Sequence, residues 1–530
     1  MTVRITFHGA CGVVTGSCFE VRTEKAGILI DCGMFQGTKT IKELNYGSFP
    51  FDPHSINALL LTHAHIDHCG LAPKLMNAGF KAPIVATRAT ADLLTYVLPD
   101  SGYVQETEVQ RLNRRNRQRG RAEVEPIYSR ADGEACASHV TPRPFDKWFE
   151  AAPGIKARYW DAGHILGSAS IELSIEQTEG KAERPTRILF SGDIGTGDNT
   201  LQVPPRAPQD VDYLVVESTY GDRQRPRLTL AQRCAALKKV IKEGLEAGGI
   251  ILIPAFAVER TQQLLFDLDH LFDTGQLPTI PVFVDSPLAT KATKVFAKYI
   301  RLNKELAATT PFERPNLRFT EDAEASRKLG RLQSGAIIIA GSGMCDAGRI
   351  RHHLKNYLSI SSTTVVLVGY QAPGTLGRLL SQNVPMVRIH GEEIAVNARI
   401  RSLDQYSGHA DQERLVDWVK ERMPIRNDIF IVHGEENARG AMARALEEAG
   451  LPSRNIRLPQ LGETVRLTGK GAKTEKIRAR VDVAASATAD WHNVYAETLL
   501  ELKSSLDKAK DEKTRRKMLN RIRAVIHSAR

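Results

Sequence analysis

Short apolar runs separated by glycine-rich turns fill the first 60 residues of the chain. Their length and their alternation with polar positions predict strands of an antiparallel or mixed sheet. These strands lie at 3–7, 17–21, 27–31 and 58–62. Helical spacing follows at 70–78 and 86–97. Three further strands are predicted at 155–161, 169–175 and 186–190.

From about residue 211, wholly apolar strands alternate regularly with amphipathic helices. The strands are predicted at 213–217, 250–255, 282–284, 336–340 and 364–369, and the helices at 229–246, 259–272, 291–299 and 347–358. Apolar strands joined by crossover helices indicate a parallel sheet covered on both faces. The connectivity is Rossmann-like, although no GxGxxG fingerprint accompanies it. A strand at 428–433, a helix at 437–449, an amphipathic stretch at 493–506 and a basic helix follow.

The composition is that of an ordinary globular chain, with 42% apolar and 25% charged residues among 530. This length predicts two to four domains. The longest apolar runs are far shorter than the ~20 residues of a membrane span, and the first residues do not resemble a signal peptide. Seven scattered cysteines without a CxxC pair argue against a disulfide framework and a thiolate zinc site. We therefore expect a cytoplasmic protein that does not bind membranes.

The net charge of +11 is concentrated in two segments. Residues 466–530 contain 16 Lys and Arg against 8 Asp and Glu, and residues 110–121 contain six arginines and no acid. Such clusters attract polyanions through counterion release, which makes nucleic acid a candidate partner. A solvated, arginine-rich helix face explains the second segment equally well, so charge alone does not decide between them.

The strongest chemical signal is a loop directly after the strand at 58–62. Within six residues it carries His63, His65, Asp67 and His68, all of which are residue types that bind zinc. Four such groups are more than a single ion would take from one loop. Burying three imidazoles and a carboxylate without a partner would be costly, so a purely structural role is disfavoured.

Four other candidates also follow predicted strands: Asp31, His164, Asp193 and His433. A single residue of this kind is more often a loop or core residue whose hydrogen bonds are made within the protein. Because all four stand at strand ends, as the histidine-rich loop does, the sequence predicts that they gather at one metal centre.

The order of these residues resembles the motif series of the metallo-β-lactamase superfamily. Glu217-Ser-Thr-Tyr-Gly, Ser407-Gly-His-Ala-Asp and Val432-His-Gly-Glu resemble three further motifs of its β-CASP nucleases. The glycine-containing segments 341–344 and 369–378 resemble the inserted domain of that family. The chain looks most like relatives of the endonuclease subunit of the pre-mRNA cleavage and polyadenylation factor. The resemblance covers about 1–465.

The resemblance implies an α/β fold, in which a Rossmann-like parallel-sheet β-CASP domain is inserted into a metallo-β-lactamase αββα sandwich. We expect the sandwich at 1–208 and 396–465, the inserted domain at 209–395 and a basic helical tail at 466–530.

The resemblance also implies the roles of the site residues. One zinc ion would be held by His63, His65 and His164, and a second by Asp67, His68 and His433. Asp193 would bridge the two ions. Asp31 would orient a ligand histidine through its ring N–H.

Catalytic roles follow from the same resemblance. His409, hydrogen-bonded to Glu217, would protonate the leaving ribose oxygen, and Asp67 would take part in catalysis as well as in metal binding. Ser407 and the Gly341, Ser342 and Gly343 turn could donate hydrogen bonds to phosphate oxygens. An ordinary turn and a close-packed glycine loop explain these four residues equally well.

The function implied is a zinc-dependent ribonuclease in which two metal ions activate hydroxide. We expect endonuclease activity, with 5′-exonuclease activity left open, on single-stranded RNA, and the resemblance also allows a homodimer. The alternatives are a thioester or lactone hydrolase, a DNA-acting β-CASP nuclease and a silent RNA-binding scaffold. The inserted domain counts against the first, and the complete ligand set counts against the last.

Overall fold

The computed structural model describes residues 2–37, 39–176, 184–198, 200–302, 311–369, 371, 375–477, 502, 505–506 and 509–528. The strands are β1 (Val3–Phe7), β2 (Phe19–Arg22), β3 (Gly27–Ile30), β4 (Ala58–Leu60), β5 (Ile84–Thr87), β6 (Val140–Arg143), β7 (Phe149–Ala152), β8 (Ile155–Asp161), β9 (Ala169–Ile175), β10 (Thr186–Phe190), β11 (Tyr213–Val216), β12 (Ile251–Pro254), β13 (Val282–Asp285), β14 (Leu317–Phe319), β15 (Ile337–Ala340), β16 (Thr364–Val368), β17 (Met386–Ile389), β18 (Glu392–Ala395), β19 (Arg399–Leu403), β20 (Ile429–Ile431), β21 (Ile456–Arg457), β22 (Glu463–Thr468) and β23 (Gly471–Ile477).

The helices are α1 (Lys39–Glu43), α2 (Ile66–Cys69), α3 (Ala72–Asn77), α4 (Arg88–Gln118), α5 (Arg130–Ser138), α6 (Leu230–Glu246), α7 (Arg260–Asp273), α8 (Pro287–Leu302), α9 (Ala323–Leu329), α10 (Ile350–Tyr357), α11 (Leu376–Ser381), α12 (Gln412–Lys420), α13 (Glu436–Glu448) and α14 (Glu512–Ser528). Across the described residues, none of the helices combines the length and the apolar character that a membrane span requires.

Two mixed sheets form the first lobe of the molecule. The eight-stranded sheet has the order β23-β22-β1-β2-β3-β4-β5-β6, and the seven-stranded sheet has the order β21-β20-β11-β10-β9-β8-β7. Their facing sides enclose one apolar core, in which Phe7, Phe19, Phe190 and Phe430 meet. Helices α3 to α5 pack on the outer face of the first sheet and α12 and α13 on that of the second. This layering confirms the predicted αββα sandwich.

The second lobe is built on a six-stranded, wholly parallel sheet with the order β14-β13-β15-β12-β16-β19. Its central strands are buried along their whole length, as the apolar runs predicted. Helices α6 to α8 cover one face, and α10 and α11 cover the other. This sheet confirms the predicted Rossmann-like insertion.

The lobe boundaries differ from those predicted at 208/209 and 395/396. Strand β11 pairs with β10 and β20, so it belongs to the sandwich, whereas β19 pairs with β16 and belongs to the inserted sheet. The first difference arises because β11 is a fully buried parallel strand, and such a strand has the same apolar pattern in either sheet.

The segment predicted as a helical tail begins with strands instead. β22 pairs with β1, and β23 pairs with β22, which extends the first sheet to residue 477. The turn at Gly469 and Gly471 joins them, and their charged residues Arg466, Lys473, Glu475 and Lys476 are exposed. The basic helix is present as α14. Of the predicted amphipathic stretch at 493–506, all but residues 502, 505 and 506 lies outside the described residues.

One buried hydroxyl joins the two sheets of the sandwich across the core. Tyr159 on β8 donates a hydrogen bond from its hydroxyl to the Val85 carbonyl on β5, at 2.8 Å. We expect Tyr159→Phe to lower the free energy of unfolding by about 1 kcal/mol, because that net contribution is lost. Urea denaturation measures the change. Tyr103→Phe, at a residue 55% exposed, is the control, and equal changes in the two variants would contradict the assignment.

Candidate metal centre

The predicted metal-binding residues meet where strands from both sheets of the sandwich end. Asp31 follows β3 directly, and the loop after β4 carries the histidine-rich segment. On the other sheet, the residues lie in the loops after their strands: His164 after β8, Asp193 after β10 and His433 after β20. The carboxyl ends of these strands therefore deliver the side chains to one edge of the sandwich.

The first group consists of His63, His65, His164 and Asp193. The His65 Nδ1 atom lies 3.1 Å from His63 Nε2 and 3.3 Å from His164 Nε2. Asp193 Oδ2 lies 3.5 Å from His63 Nε2 and 3.6 Å from His164 Nε2. Tetrahedral zinc with bonds of about 2.05 Å separates its ligand atoms by about 3.3 Å. The four atoms thus have the spacing of a four-coordinate metal site.

The second group consists of Asp67, His68 and His433, with Asp193 beside them. The Nε2 atoms of His68 and His433 are 3.1 Å apart, and Asp67 Oδ2 lies 3.8 Å from His433 Nε2. Asp67 and His68 are placed side by side by the short helix α2.

Asp193 stands between the two groups, with one carboxylate oxygen toward each. Oδ2 faces the first group, while Oδ1 lies 3.2 Å from His68 Nε2 and 3.6 Å from His433 Nδ1. Oδ1 is buried and accepts no hydrogen bond from the described residues. A buried carboxylate oxygen without a donor calls for a cation. The cluster therefore fits a metal site.

The outer ring nitrogens of three histidines are fixed by neighbouring oxygens. His68 Nδ1 lies 2.7 Å from Asp31 Oδ2, His164 Nδ1 lies 3.1 Å from the Gly408 carbonyl, and His433 Nδ1 lies 3.0 Å from Thr219 Oγ1. The Asp31 carboxylate, the Gly408 carbonyl and the Thr219 hydroxyl oxygen each accept a ring N–H, and the Thr219 hydroxyl donates its own proton to the His433 carbonyl. This leaves the Nε2 lone pair of each histidine directed into the cluster. Asp31 thus stands where an orienting residue was predicted.

Burial sets the charge state of the first group. It lowers the pKa of His63 and His164 well below the ordinary histidine value and lowers the pKa of His65 to about 4. These imidazoles are neutral at physiological pH, as metal ligation requires. Burial would raise the pKa of Asp193, but the surrounding histidines, with His433 and His68 foremost, hold it well below its usual range.

A second pair of residues, His409 and Glu217, lies at the rim of the cluster. His409 Nδ1 lies 3.2 Å from both oxygens of the Glu217 carboxylate, and its Nε2 lies 3.8 Å from Asp193 Oδ2. Burial lowers the pKa of His409, but the Glu217 and Asp193 carboxylates outweigh burial and raise it. The His409 side chain is 18% exposed, whereas Glu217 is buried, so the imidazole is open to a substrate.

Backbone contacts hold this pair in place. Glu217 follows β11, and its Oε1 and Oε2 atoms accept hydrogen bonds from the Ile194 and Thr219 amides at 2.6 and 3.2 Å. The His409 segment pairs with Gly195 through an isolated antiparallel bridge. Glu217 is therefore a fixed anchor for the imidazole.

The predicted phosphate-binding residues divide into two places. Ser407 lies two residues before His409 and donates a hydrogen bond to the Tyr220 hydroxyl at 3.0 Å. The turn of Gly341, Ser342 and Gly343 follows β15 in the inserted lobe, where Gln371 donates a hydrogen bond to the Gly343 carbonyl. A Cβ at Gly343 would meet the Phe256 ring at 2.7 Å, which agrees with a close-packed glycine loop. Substrate binding by these residues stays a prediction.

The arginine-rich segment 110–121 forms the end of α4 and the turn after it, and all six arginines are exposed. Contact with RNA and a solvated helix face therefore both stay open, and the homodimer stays a prediction.

Sequence reasoning missed three groups that support the histidines: the Thr62 and Thr219 hydroxyls and the Gly408 carbonyl. The Thr62 hydroxyl lies 3.0 Å from His63 Nδ1 and donates to Asp31 at 2.8 Å. Its position just before the first histidine was an available signal. A backbone carbonyl such as that of Gly408 has no signal in the sequence.

Fold and cluster together define a metal-dependent hydrolase. Three family models match the chain: the metallo-beta-lactamase superfamily over residues 11–227, the Beta-Casp domain over 261–380 and the Zn-dependent metallo-hydrolase RNA specificity domain over 393–459. The chain belongs to the β-CASP family of the metallo-β-lactamase superfamily.

Curated relatives match over most of the chain. Ribonuclease TTHA0252 of Thermus thermophilus is 34% identical over 470 residues, which cover 87% of this chain and 100% of that protein. The RNase J-like protein of Methanocaldococcus jannaschii is 31% identical and covers 82% of this chain and 93% of its own length. Transcription termination factor FttA of Methanosarcina mazei is 30% identical, with 82% of this chain and 67% of that protein aligned.

Asp31 provides a test of the cluster. We expect Asp31→Ala to weaken zinc affinity roughly 10- to 100-fold, because His68 loses the acceptor that orients its ring. Competition with a chelating dye measures the affinity. Asp52→Ala removes an exposed carboxylate that contacts only His54 among the described residues and should change nothing. Equal zinc affinity in both variants would show that Asp31 has no part in the site.

Proposed function

We propose that this chain is a zinc-dependent ribonuclease that hydrolyses RNA phosphodiester bonds. The observation that carries the proposal is the Asp193 carboxylate shared between two clusters of metal-binding groups, with His409 and Glu217 directly beside it. A shared carboxylate is the arrangement expected of a two-metal hydrolase, and a positioned acid serves a reaction with a poor leaving group.

The first zinc ion would be held by His63, His65, His164 and Asp193, and the second by Asp67, His68, His433 and Asp193. When bound, such a pair lowers the pKa of water toward neutrality and neutralises the charge that develops on phosphate oxygens. The Asp67 and His409 side chains are partly exposed, at 21% and 18%. The scissile phosphate would enter between them.

His409 would protonate the ribose oxygen that leaves. Its Nδ1–H donates to Glu217, so the other ring nitrogen, Nε2, faces the cluster and carries the proton to be transferred. Glu217 does not touch the substrate in this scheme. It acts by holding the ring and stabilising its charged form.

Single-stranded RNA is the substrate that the chain's features support best. Two of the three relatives are named as ribonuclease or RNase J-like, and one matching family model is described as an RNA specificity domain. The net charge of +11 favours a polyanion. The inserted lobe lies beside the cluster, where it can form a wall that a small-molecule hydrolase does not need. Internal cleavage, with or without 5′-exonuclease activity, belongs to the same proposal.

Chelation tests the reaction directly. We expect the zinc-loaded protein to cleave a labelled single-stranded RNA, to lose this activity with a chelator and to regain it on return of zinc, because bound zinc would activate the attacking water. Product length on gels separates internal fragments from 5′ mononucleotides. A DNA strand of the same sequence and a thioester are the controls. A zinc-loaded protein that cleaves only a control substrate, or nothing, would overturn the proposal.

His409 provides the second test. We expect His409→Ala to lower kcat by ~10²–10⁴, the range for loss of general acid catalysis, while the zinc content stays unchanged. Glu217→Gln should have a smaller effect, since the ring remains but loses its charged partner. Rates come from single-turnover cleavage and zinc content from elemental analysis. Loss of zinc from the His409 variant would show that the residue is a ligand rather than an acid.

A further inference from the structure

A buried arginine of the inserted lobe, Arg260, lies beside the metal cluster. Arg260 is the first residue of α7 and is 8% exposed. Its Nη1 donates to Gln263 Oε1 at 2.8 Å. This is the one hydrogen bond of its guanidinium to the described residues, and its buried Nε has no partner among them.

The guanidinium reaches the loop that carries the proposed acid. A Cβ built on Gly408 would lie 3.3 Å from Arg260 Nη2 and 3.1 Å from His164 Cε1. Gly408 itself accepts the ring N–H of His164, and the His164 and His409 ring centroids are 4.5 Å apart. Gly408 thus lies between the Arg260 guanidinium and two side chains of the site, the proposed ligand His164 and the proposed acid His409.

More positive charge surrounds this position. Arg225 stacks on the Tyr220 ring, 4.8 Å from its centroid, and its guanidinium also donates to the His409 carbonyl. Burial lowers the pKa of Arg260 to about 10 although the Glu259 carboxylate opposes this shift, so the guanidinium remains charged at neutral pH.

A nearby carboxylate is already engaged. Glu259 Oε2 accepts hydrogen bonds from the Leu166 amide and the Gln202 side chain, at 3.1 and 2.8 Å. A buried cation whose donors are left unused is costly to the free protein. The guanidinium fork matches the oxygens of a carboxylate or a phosphate in geometry and charge, and phosphate is the anion that an RNA substrate brings.

We propose that Arg260 binds a non-bridging oxygen of the RNA phosphate next to the scissile one, and so sets the register of the strand in the active site. The inference rests on the ribonuclease function proposed above. Arg260 comes from the inserted lobe and the metal-binding residues from the sandwich, so this contact would clamp the strand between the lobes.

The test measures RNA affinity without cleavage. Zinc-loaded protein carrying His409→Ala is titrated into a fluorescein-labelled single-stranded oligouridylate, and the anisotropy is followed at several salt concentrations. Adding Arg260→Met should weaken binding roughly 10- to 100-fold. It should also reduce the slope of log affinity against log salt by about 0.7, the value for one phosphate contact on a single strand.

Arg422 offers a matched control. It is also buried, makes one side-chain hydrogen bond, to Glu421, and has an Nε without a partner in the described residues. It stacks on Trp418 of α12, on the outer face of the sandwich. Arg422→Met should leave both the RNA affinity and the salt slope unchanged.

Arg260→Lys separates charge from shape. Lysine keeps the charge but loses the fork, so we expect the salt slope of the parent and an affinity about tenfold weaker. If Arg260→Met does not fold, Arg260→Lys is the deciding variant. An RNA affinity of Arg260→Lys equal to that of the parent would then overturn the proposal.

The two proposals fail in different ways. If Arg260→Met folds, keeps its zinc and matches the parent in affinity and slope, Arg260 is a packing residue and only this inference is wrong. If the unmodified zinc-loaded protein neither binds nor cleaves the RNA, the ribonuclease function fails and this inference falls with it.

Discussion

The Asp193 carboxylate is the interaction on which the centre depends. It is 2% exposed, and histidine nitrogens from four separate loops lie within 3.2 to 3.8 Å of its two oxygens. Burial of a carboxylate carries a desolvation cost, which only nearby positive charge offsets. The loops that carry the histidines are therefore held by attraction between the Asp193 carboxylate and the imidazoles, as well as by packing on the sandwich.

The placement of His409 makes the proposed acid part of the sandwich, although it lies at the junction of the two lobes. Its loop follows β19, the edge strand of the inserted sheet, and leads into α12, which packs on the sandwich. The loop is bound to the sandwich by the bridge to Gly195 and by the hydrogen bond from the Ala410 amide to the Ile194 carbonyl. The anchor Glu217 follows β11 of the same sandwich, so the 3.2 Å contact between His409 and Glu217 is made within one lobe.

The sequence predicted more than half of the strands and all the residues that the structure brings together in the cluster, because both leave local signals. The strands at 155–161, 169–175 and 186–190 agree with β8 to β10 within one residue. The histidine spacing after β4 predicted the loop that contributes most residues to the cluster.

Other features depend on contacts between distant residues and left no such signal. The sheet that β11 joins depends on its neighbours rather than on its four buried residues. β22 and β23 carry the basic residues Arg466, Lys473 and Lys476, and the net positive charge of the whole segment obscured their strand pattern. The position of Arg260 beside Gly408 is set by how two lobes pack across about 150 residues of chain, which no local pattern encodes.

The closing strands of the first sheet have a consequence for biosynthesis. β1 lies between β2 and β22, so β1 gains its second neighbour only after more than 450 further residues have been synthesised. His433 also emerges late, after the whole inserted lobe. A nascent chain on the ribosome therefore holds at most a partial centre. The cluster can hold metal with all of its side chains only once the inserted lobe and β20 have both been made.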